Sequence, residues 1–271
     1  MDAPESIRLS LTVQYDGAAF HGWQVQPDQR TVQGVLEDVL SRLGNRPCTV
    51  LGSGRTDTGV HATGQVAAVD MPPTWTPASL HRSLTAVLPP DLWVESVRAV
   101  PPDFHPRYDA LARTYEYRIG STPEAASPFY SRWCWALSEP VDGGLLDASA
   151  ALLPGTHSFL AFAKAGQPER GDMCTVREAK WSEWSHGTRM TITADRYLHH
   201  MVRYLVGTMV DIGRGRRPLT ELPRLLENDP ELTTSPPAPP QGLFLSRVEY
   251  PDSVRPSQDV THKPTRSTAT A

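Results

Sequence analysis

Over residues 8–15, apolar Leu9, Leu11, Val13 and Tyr15 alternate with Ser10, Thr12 and Gln14. That is the period of a half-buried strand, and Asp16-Gly17 ends it as a turn signal. Val32, Val35, Leu36, Val39, Leu40 and Leu43 then recur at helical spacing behind Thr31, a candidate N-cap, and stop at Gly44. Short strands at 49–51 and 65–70 bracket a glycine-rich loop. The pattern next predicts a helix over 77–88 and a strand over 92–100. In the second half, strands are expected at 114–120, with Tyr115, Tyr117 and Ile119 on one face, at 177–184, at 189–194 and at 242–250. Strands alternating with helices on this scale predict an α+β fold, with helices on one face of a sheet. Two linked domains are expected, with the chain crossing between them near residues 107–112.

One helical segment is unlike the others. Residues 197–212 carry a stripe of Leu198, Met201, Val202, Leu205, Met209 and Ile212, while Tyr204, Val206, Gly207 and Val210 cover much of the remaining circumference. Such a helix is buried on more than one side. Arg203 on it needs an anion, because an unpaired buried charge costs several kcal/mol. A second short helix is expected over 219–227. Residues 155–171 hold Phe159 and Phe162 and then a polar, glycine-containing stretch.

The pattern does not name that anion, but the loop at 51–66 carries a conspicuous carboxylate. It reads LGSGRTDTGVHATGQV, with glycines at 52, 54, 59 and 64 around one carboxylate, Asp57. Glycines permit positive φ and close backbone approach, so such a loop presents a side chain at a chosen angle. A phosphate-cradling loop would need Gly-Lys-Ser/Thr at its end, and a dinucleotide fingerprint would need glycine where Asp57 stands; neither is present. Local pattern leaves two roles open for Asp57, a turn-capping carboxylate or a reactive group.

Composition narrows the chemistry further. Across 271 residues the three cysteines, Cys48, Cys134 and Cys174, are far apart without paired spacing, so neither a disulfide framework nor a cysteine zinc site is indicated. No apolar run approaches bilayer-spanning length and the start lacks an apolar leader, so a cytoplasmic location is expected. A formal net charge of -4 weighs against a nucleic-acid partner unless positive charge is concentrated. Arg203, Arg214, Arg216 and Arg217 form one basic cluster, and Arg98, Arg107, Arg113 and Arg118 another. Nine histidines invite a metal, but His199 and His200, taken as neighbours on a helix, would point about 100° apart and fail to chelate one ion. No metal is therefore expected. No Gly-x-Ser-x-Gly elbow and no second carboxylate in the Asp57 loop support hydrolase chemistry. From 251 onward Pro, Ser and Thr dominate, and a disordered tail is expected.

A resemblance adds to these readings. The run from Gly52 to Val66 is similar to the signature loop of the tRNA pseudouridine synthase A family. Tyr15-Asp16-Gly17 with Phe20-His21-Gly22-Trp23-Gln24 matches the family opening. Phe104-His105-Pro106-Arg107-Tyr108, then Ala112 to Tyr117, then His199-His200-Met201-Val202-Arg203 with Gly207, and last Ala238 to Leu245 follow in family order. Several spaced motifs in order, over about 9–250, are far more specific than any one. Thr58, where the family often has alanine, and Pro106, where it varies, depart from the pattern.

The resemblance implies a pseudouridine synthase fold. Its two similar α+β halves, 1–108 and 109–250, would surround a mainly antiparallel sheet with a central cleft, followed by the tail 251–271. It implies isomerisation of uridine to pseudouridine in the tRNA anticodon stem-loop, around positions 38–40, with no cofactor and by a homodimer. Asp57 would be the catalytic residue and Arg203 its partner. Tyr115 would contact the target uracil and is a candidate base; Arg55 would assist base flipping; Phe104, His105, Pro106, Arg107 and Tyr108 would contact RNA. Extrusion of a stacked uridine costs a few kcal/mol, and a cation able to stack or bind phosphate suits that task. Two other classes remain on the residues alone: a non-catalytic RNA-binding or tRNA-chaperone module, and an enzyme acting on a small nucleoside.

Overall fold

The computed structural model describes residues 5–137, 139–164 and 171–254. Among them, ten strands form one sheet. The first half of the chain supplies β1 (Ile7–Tyr15), β2 (Leu51–Gly52), β3 (His61–Met71) and β4 (Leu92–Ala99), with helices α1 (Val32–Gly44) and α2 (Pro77–Val87). The second half supplies β5 (Ala112–Gly120), β6 (Trp135–Ala136), β7 (Gly155–Ser158), β8 (Met173–Trp184), β9 (Gly187–Ala194) and β10 (Leu243–Glu249). Its helices are α3 (Gly143–Ala151), α4 (Met201–Gly213) and α5 (Glu221–Leu226).

The strand order is β4-β1-β3-β10-β5-β9-β8-β7, with β2 beside β3 and β6 beside β5. All pairings are antiparallel except β10 with β3 and β6 with β5. The closing strand is the stitch. Last in the sequence, β10 pairs along β5 from Leu243↔Tyr117 to Glu249↔Ala112, and meets β3 at Phe244↔His61 and Leu245↔Ala62. One buried core runs from Leu9, Leu11 and Val13 on β1 to Leu205, Met209 and Ile212 on α4. This is the expected α+β architecture around a mainly antiparallel sheet.

Local chemistry explains most element boundaries. Thr31 accepts the Gly34 N–H and starts α1 as expected, but Gly44 is its last helical residue and left-handed Asn45 makes the C-cap. Thr76 and Ser79 form a reciprocal capping box at α2. Two expectations need correction. Strand β3 begins four residues earlier than its polar start suggested, because His61 and Ala62 pair with β10. Helix α4 begins at Met201 rather than 197, because His200 is left-handed with φ 65 and cannot lie inside an α-helix. Helix α3 has little apolar periodicity in GGLLDASAA and was not expected. Of the expected tail 251–271, only 251–254 are described, with a 3-10 turn at Asp252–Val254; the rest lies outside the described residues, as does most of the polar stretch before Gly171.

Candidate active site

Residues 53–60 link β2 to β3 and carry Asp57. The loop is fixed from several sides. Ser53 N–H donates to the Val66 carbonyl at 2.8 Å, and Val60 N–H to the Asp57 carbonyl at 3.1 Å. Gln65, fully buried, accepts from the Ser53 hydroxyl at 2.7 Å and donates to the Gly54 carbonyl at 2.7 Å. Thr56 bonds the Tyr15 hydroxyl at 2.8 Å, and its carbonyl accepts Trp23 N–H at 3.0 Å. The motif at 15–24 is therefore the loop's backing. Its Gly22 has φ +82, and a Cβ there would meet the Thr56 carbonyl oxygen at 2.6 Å, so both backbone shape and space exclude a larger residue.

With its backbone held, the Asp57 carboxylate faces residues flanking the start of α4. His199 Nε2 lies 3.3 Å from Oδ1, His200 Nε2 lies 3.3 Å from Oδ2, and Arg203 Nη1 lies 3.6 Å from Oδ2. Among the described hydrogen bonds the Asp57 side chain caps no backbone N–H; it turns across the cleft to two imidazoles and a guanidinium. Arg203 is steered from behind, since its Nε donates to the Ala238 carbonyl at 2.7 Å, while Ala238 N–H donates to the Arg203 carbonyl at 2.9 Å. That contact needs Gly207, where a Cβ would sit 2.1 Å from the Pro236 carbonyl oxygen. Helix and 236–238 segment thus press together, and the guanidinium is aimed.

The sequence argument that His199 and His200 diverge is overturned. It assumed both lie on the helix. The left-handed backbone at His200 instead turns the pair so that the rings lie 4.2 Å apart, tilted by 58°, and both Nε2 atoms reach Asp57. Neither histidine was singled out beforehand as part of this site; the His-His pair directly before a buried helix was the available signal. Burial lowers the His200 pKa, helped by His199, Arg203 and Lys164 and opposed by Asp57.

Beneath the carboxylate lies Tyr115 on β5, buried and edge-on to Tyr197 at 4.8 Å. Burial pushes its phenol up to about 12; Arg113 opposes the shift and Asp57 adds to it. At neutral pH the hydroxyl therefore keeps its proton. Arg113 is buried and donates to carbonyls of Ser53, Arg107 and Asp195 at 2.8, 2.7 and 3.1 Å. It ties together three segments that wall the cleft, and desolvation lowers its pKa.

The cleft has a volume of about 1370 Å³, beyond the usual ~300–1,000 Å³ of a small-molecule site. Its described lining includes the cations Arg55, Arg107, Arg113, Lys164, Arg196 and Arg203 against the carboxylates Asp57 and Asp195. Positive charge is thus concentrated where the net charge hid it. Arg55 is exposed, its Nε 3.2 Å from the Gln24 side-chain oxygen. The segment 104–108 divides: His105, Arg107 and Tyr108 line the cleft, whereas Phe104 packs on Tyr250 at 5.2 Å and the Pro106 carbonyl accepts the Tyr250 hydroxyl at 2.7 Å. Phe104 and Pro106 hold the segment from inside and do not face the cleft.

An open α+β sheet with a large cleft whose described cations outnumber its two carboxylates makes a site suited to a polyanionic substrate. Comparison with known proteins gives the family. The family model for tRNA pseudouridine synthase matches residues 11–109 and 149–251. The tRNA pseudouridine synthase A of Methylacidiphilum infernorum (isolate V4) is 38% identical over 246 residues, covering 90% of this chain and 96% of that protein. That of Exiguobacterium sibiricum is 36% identical over 246 residues, covering 91% and 98%, and that of Moorella thermoacetica 38% over 244 residues, covering 89% and 99%. The chain belongs to the tRNA pseudouridine synthase family.

Proposed function

We propose that this protein isomerises uridine to pseudouridine in the anticodon stem-loop of tRNA, around positions 38–40, with Asp57 as the catalytic residue. The observation that carries the reading is the Asp57 carboxylate, held 3.6 Å from Arg203 at the bottom of a cleft whose described cations outnumber its carboxylates. A small-nucleoside enzyme would have no use for cations spread from Arg55 to Arg196, and a passive RNA-binding module would gain nothing from a carboxylate among them.

The reaction breaks the N1–C1′ bond, turns the base and joins C5 to C1′; the C5 proton leaves and N1 ends protonated, so atoms balance without a cofactor. Asp57 acts at the reacting sugar or base as an ionised carboxylate, and Arg203 holds it in that form and orientation. Tyr115 packs its ring against the uracil and keeps its proton, which makes it a contact and hydrogen-bond donor rather than a phenolate base. Arg55, at the exposed edge of the loop, braces the helix from which the nucleotide has been extruded. His105, Arg107 and Tyr108 meet the RNA backbone and bases, supported by buried Phe104 and Pro106.

Halves 1–108 and 109–250 meet along the β3–β10 seam, and the cleft draws residues from both. A homodimer in the cytoplasm completes the reading; among the described residues no helix is long and apolar enough to cross a membrane. The test is to incubate the protein with unmodified tRNA and with free uridine and to map pseudouridine. Conversion of tRNA but not of free uridine is expected. Failure to convert tRNA sinks the reading.

A further inference from the structure

We propose that Asp57, His199 and His200 form a binding site for one divalent transition-metal ion of the zinc class, and that an ion held there inhibits the enzyme by occupying the carboxylate. The inhibitory half rests on the catalytic reading of Asp57; the binding half does not.

The geometry comes first. One oxygen and two imidazole nitrogens lie within 4.8 Å of one another. His199 Nε2 lies 3.3 Å from Oδ1 and His200 Nε2 3.3 Å from Oδ2, so each imidazole already meets one oxygen of the carboxylate. Tetrahedral zinc with ligand bonds of about 2.0–2.1 Å has ligand–ligand edges of about 3.3 Å, so a turn of the carboxylate that brings one oxygen toward both rings supplies the oxygen–nitrogen edges. The His199 side chain is 57% exposed and its ring can swing to close the third. Three protein ligands facing an open cleft leave the fourth position to water.

The donor set selects the ion. Two imidazoles and one carboxylate suit zinc, cobalt, nickel or copper, whereas magnesium prefers oxygen ligands and octahedral geometry. Magnesium added to keep tRNA folded will not compete. The three cysteines are buried, so the folded chain offers no accessible thiolate to draw the ion elsewhere. Arg203 and Lys164 oppose a dication, which makes the site weaker than a structural zinc site. Arg203 does not block it, because the Ala238 carbonyl holds its guanidinium to one side, 3.6 Å from Oδ2.

The biological consequence is a ligand that competes with tRNA. A bound ion removes Asp57 from the reaction and fills the floor on which an extruded uridine would rest. The enzyme would need no metal to work and would stop when free zinc rises.

Titration of chelator-treated protein with Zn²⁺ by calorimetry, and with Co²⁺ by visible absorption, tests binding apart from catalysis. One ion per chain and the strong visible bands of tetrahedral Co²⁺ are expected, with at least tenfold weaker binding in His199→Ala and in the His199→Ala/His200→Ala double variant. Melting curves confirm that each variant is folded. In activity assays at constant Mg²⁺, zinc should raise the apparent KM for tRNA. At least tenfold more zinc should be needed to inhibit His199→Ala relative to its own metal-free rate. No binding by folded wild type, or binding undiminished in the double variant, overturns the site; binding without inhibition overturns its inhibitory role. If Asp57→Ala loses the ion but still isomerises uridine, the site stands and the catalytic reading falls.

Discussion

Among the described residues, two aspartate–histidine–arginine groups have different surroundings. Asp57 faces His199, His200 and Arg203 in the cleft. Asp16 lies beside His61, with Nδ1 at 3.2 Å, and pairs with Arg132. At the second group every polar atom of the ring is used: Gly17 N–H donates to His61 Nδ1 at 3.0 Å, and Nε2 donates to the Arg132 carbonyl at 3.1 Å. Phe244 and Trp133 cover the His61 ring at 4.8 and 4.9 Å. At the first group the rings touch each other and the carboxylate, and the His199 side chain is 57% exposed against 1% for His61. The same residue types make a fastener where backbone and aromatics saturate them, and a reaction site where they are held from behind and left exposed in front.

The strongest way to break this comparison is to remove each carboxylate. Asp57→Ala should lower the rate of pseudouridine formation by about 10⁴-fold, the scale lost with a catalytic nucleophile or base, while leaving the melting temperature near that of the wild type. Asp16→Ala should do the reverse, losing about 1–3 kcal/mol as Arg132 and the neighbouring turn lose their partner. Retained turnover in the first variant would erase the distinction. Next in size is Arg203→Met. Its guanidinium acts on Asp57 from a fixed position, so the rate should fall by about 10²–10³-fold with tRNA affinity changed little. Filter binding and single-turnover rates separate the two, and unfolding of the variant would mean that Arg203 serves the core instead.

Much of this contrast was legible in the residues, and the missing part has a physical cause. Asp57 stood out because glycines frame it, and Arg203 because a cation on an apolar helix needs an anion; the pattern named no partner for either, and their pairing came from the family resemblance. The His199–His200 contribution was hidden by a boundary. Period-3.6 patterning ran through Tyr197 and Leu198, and nothing in composition announces a left-handed histidine, since that conformation is imposed by packing around it. Phe104 and Pro106 could not be told from His105, Arg107 and Tyr108 because a motif fixes proximity along the chain and says nothing of which side chains turn inward. Helix α3 escaped because two glycines and small residues replace the apolar stripe. The Asp16–His61–Arg132 fastener joins three distant segments, so no local pattern carries it.

Tyr115 sharpens the site side of the comparison at smaller scale. With its phenol pushed up to about 12, fewer than about one molecule in 10³ carries a phenolate at pH 8. If the ring is what matters, Tyr115→Phe should keep activity within about tenfold of wild type, and Tyr115→Leu should lose more by giving up the stacking face. A collapse of activity in Tyr115→Phe comparable to that of Asp57→Ala would make the hydroxyl essential. The ring contact would then be the minor role.

The smallest effect belongs to His61 and shows as a pH dependence. Burial lowers its folded pKa below the ordinary imidazole value, opposed by the Asp16 charge and by hydrogen bonds to the Arg132 and Gln241 backbone. Between the folded and unfolded pKa values the unfolded chain binds more protons, so the neutral ring's contribution is intact above about pH 6.5 and is lost as pH falls toward the folded value. The slope for one group cannot exceed about 1.4 kcal/mol per pH unit. His200 is shifted the same way and adds to the wild-type slope. Denaturant midpoints at pH 7.5 and pH 5.5 for wild type and His61→Gln therefore isolate the His61 share as the difference between them. The variant should be less stable at pH 7.5, because Gly17 N–H and the Arg132 carbonyl lose partners, and its loss of stability on acidification should be shallower. Equal slopes would mean that the His61 ring accepts a proton without disturbing the fastener, drawing on Asp16 as its counter-ion, and the two groups would then be more alike than their burial implies.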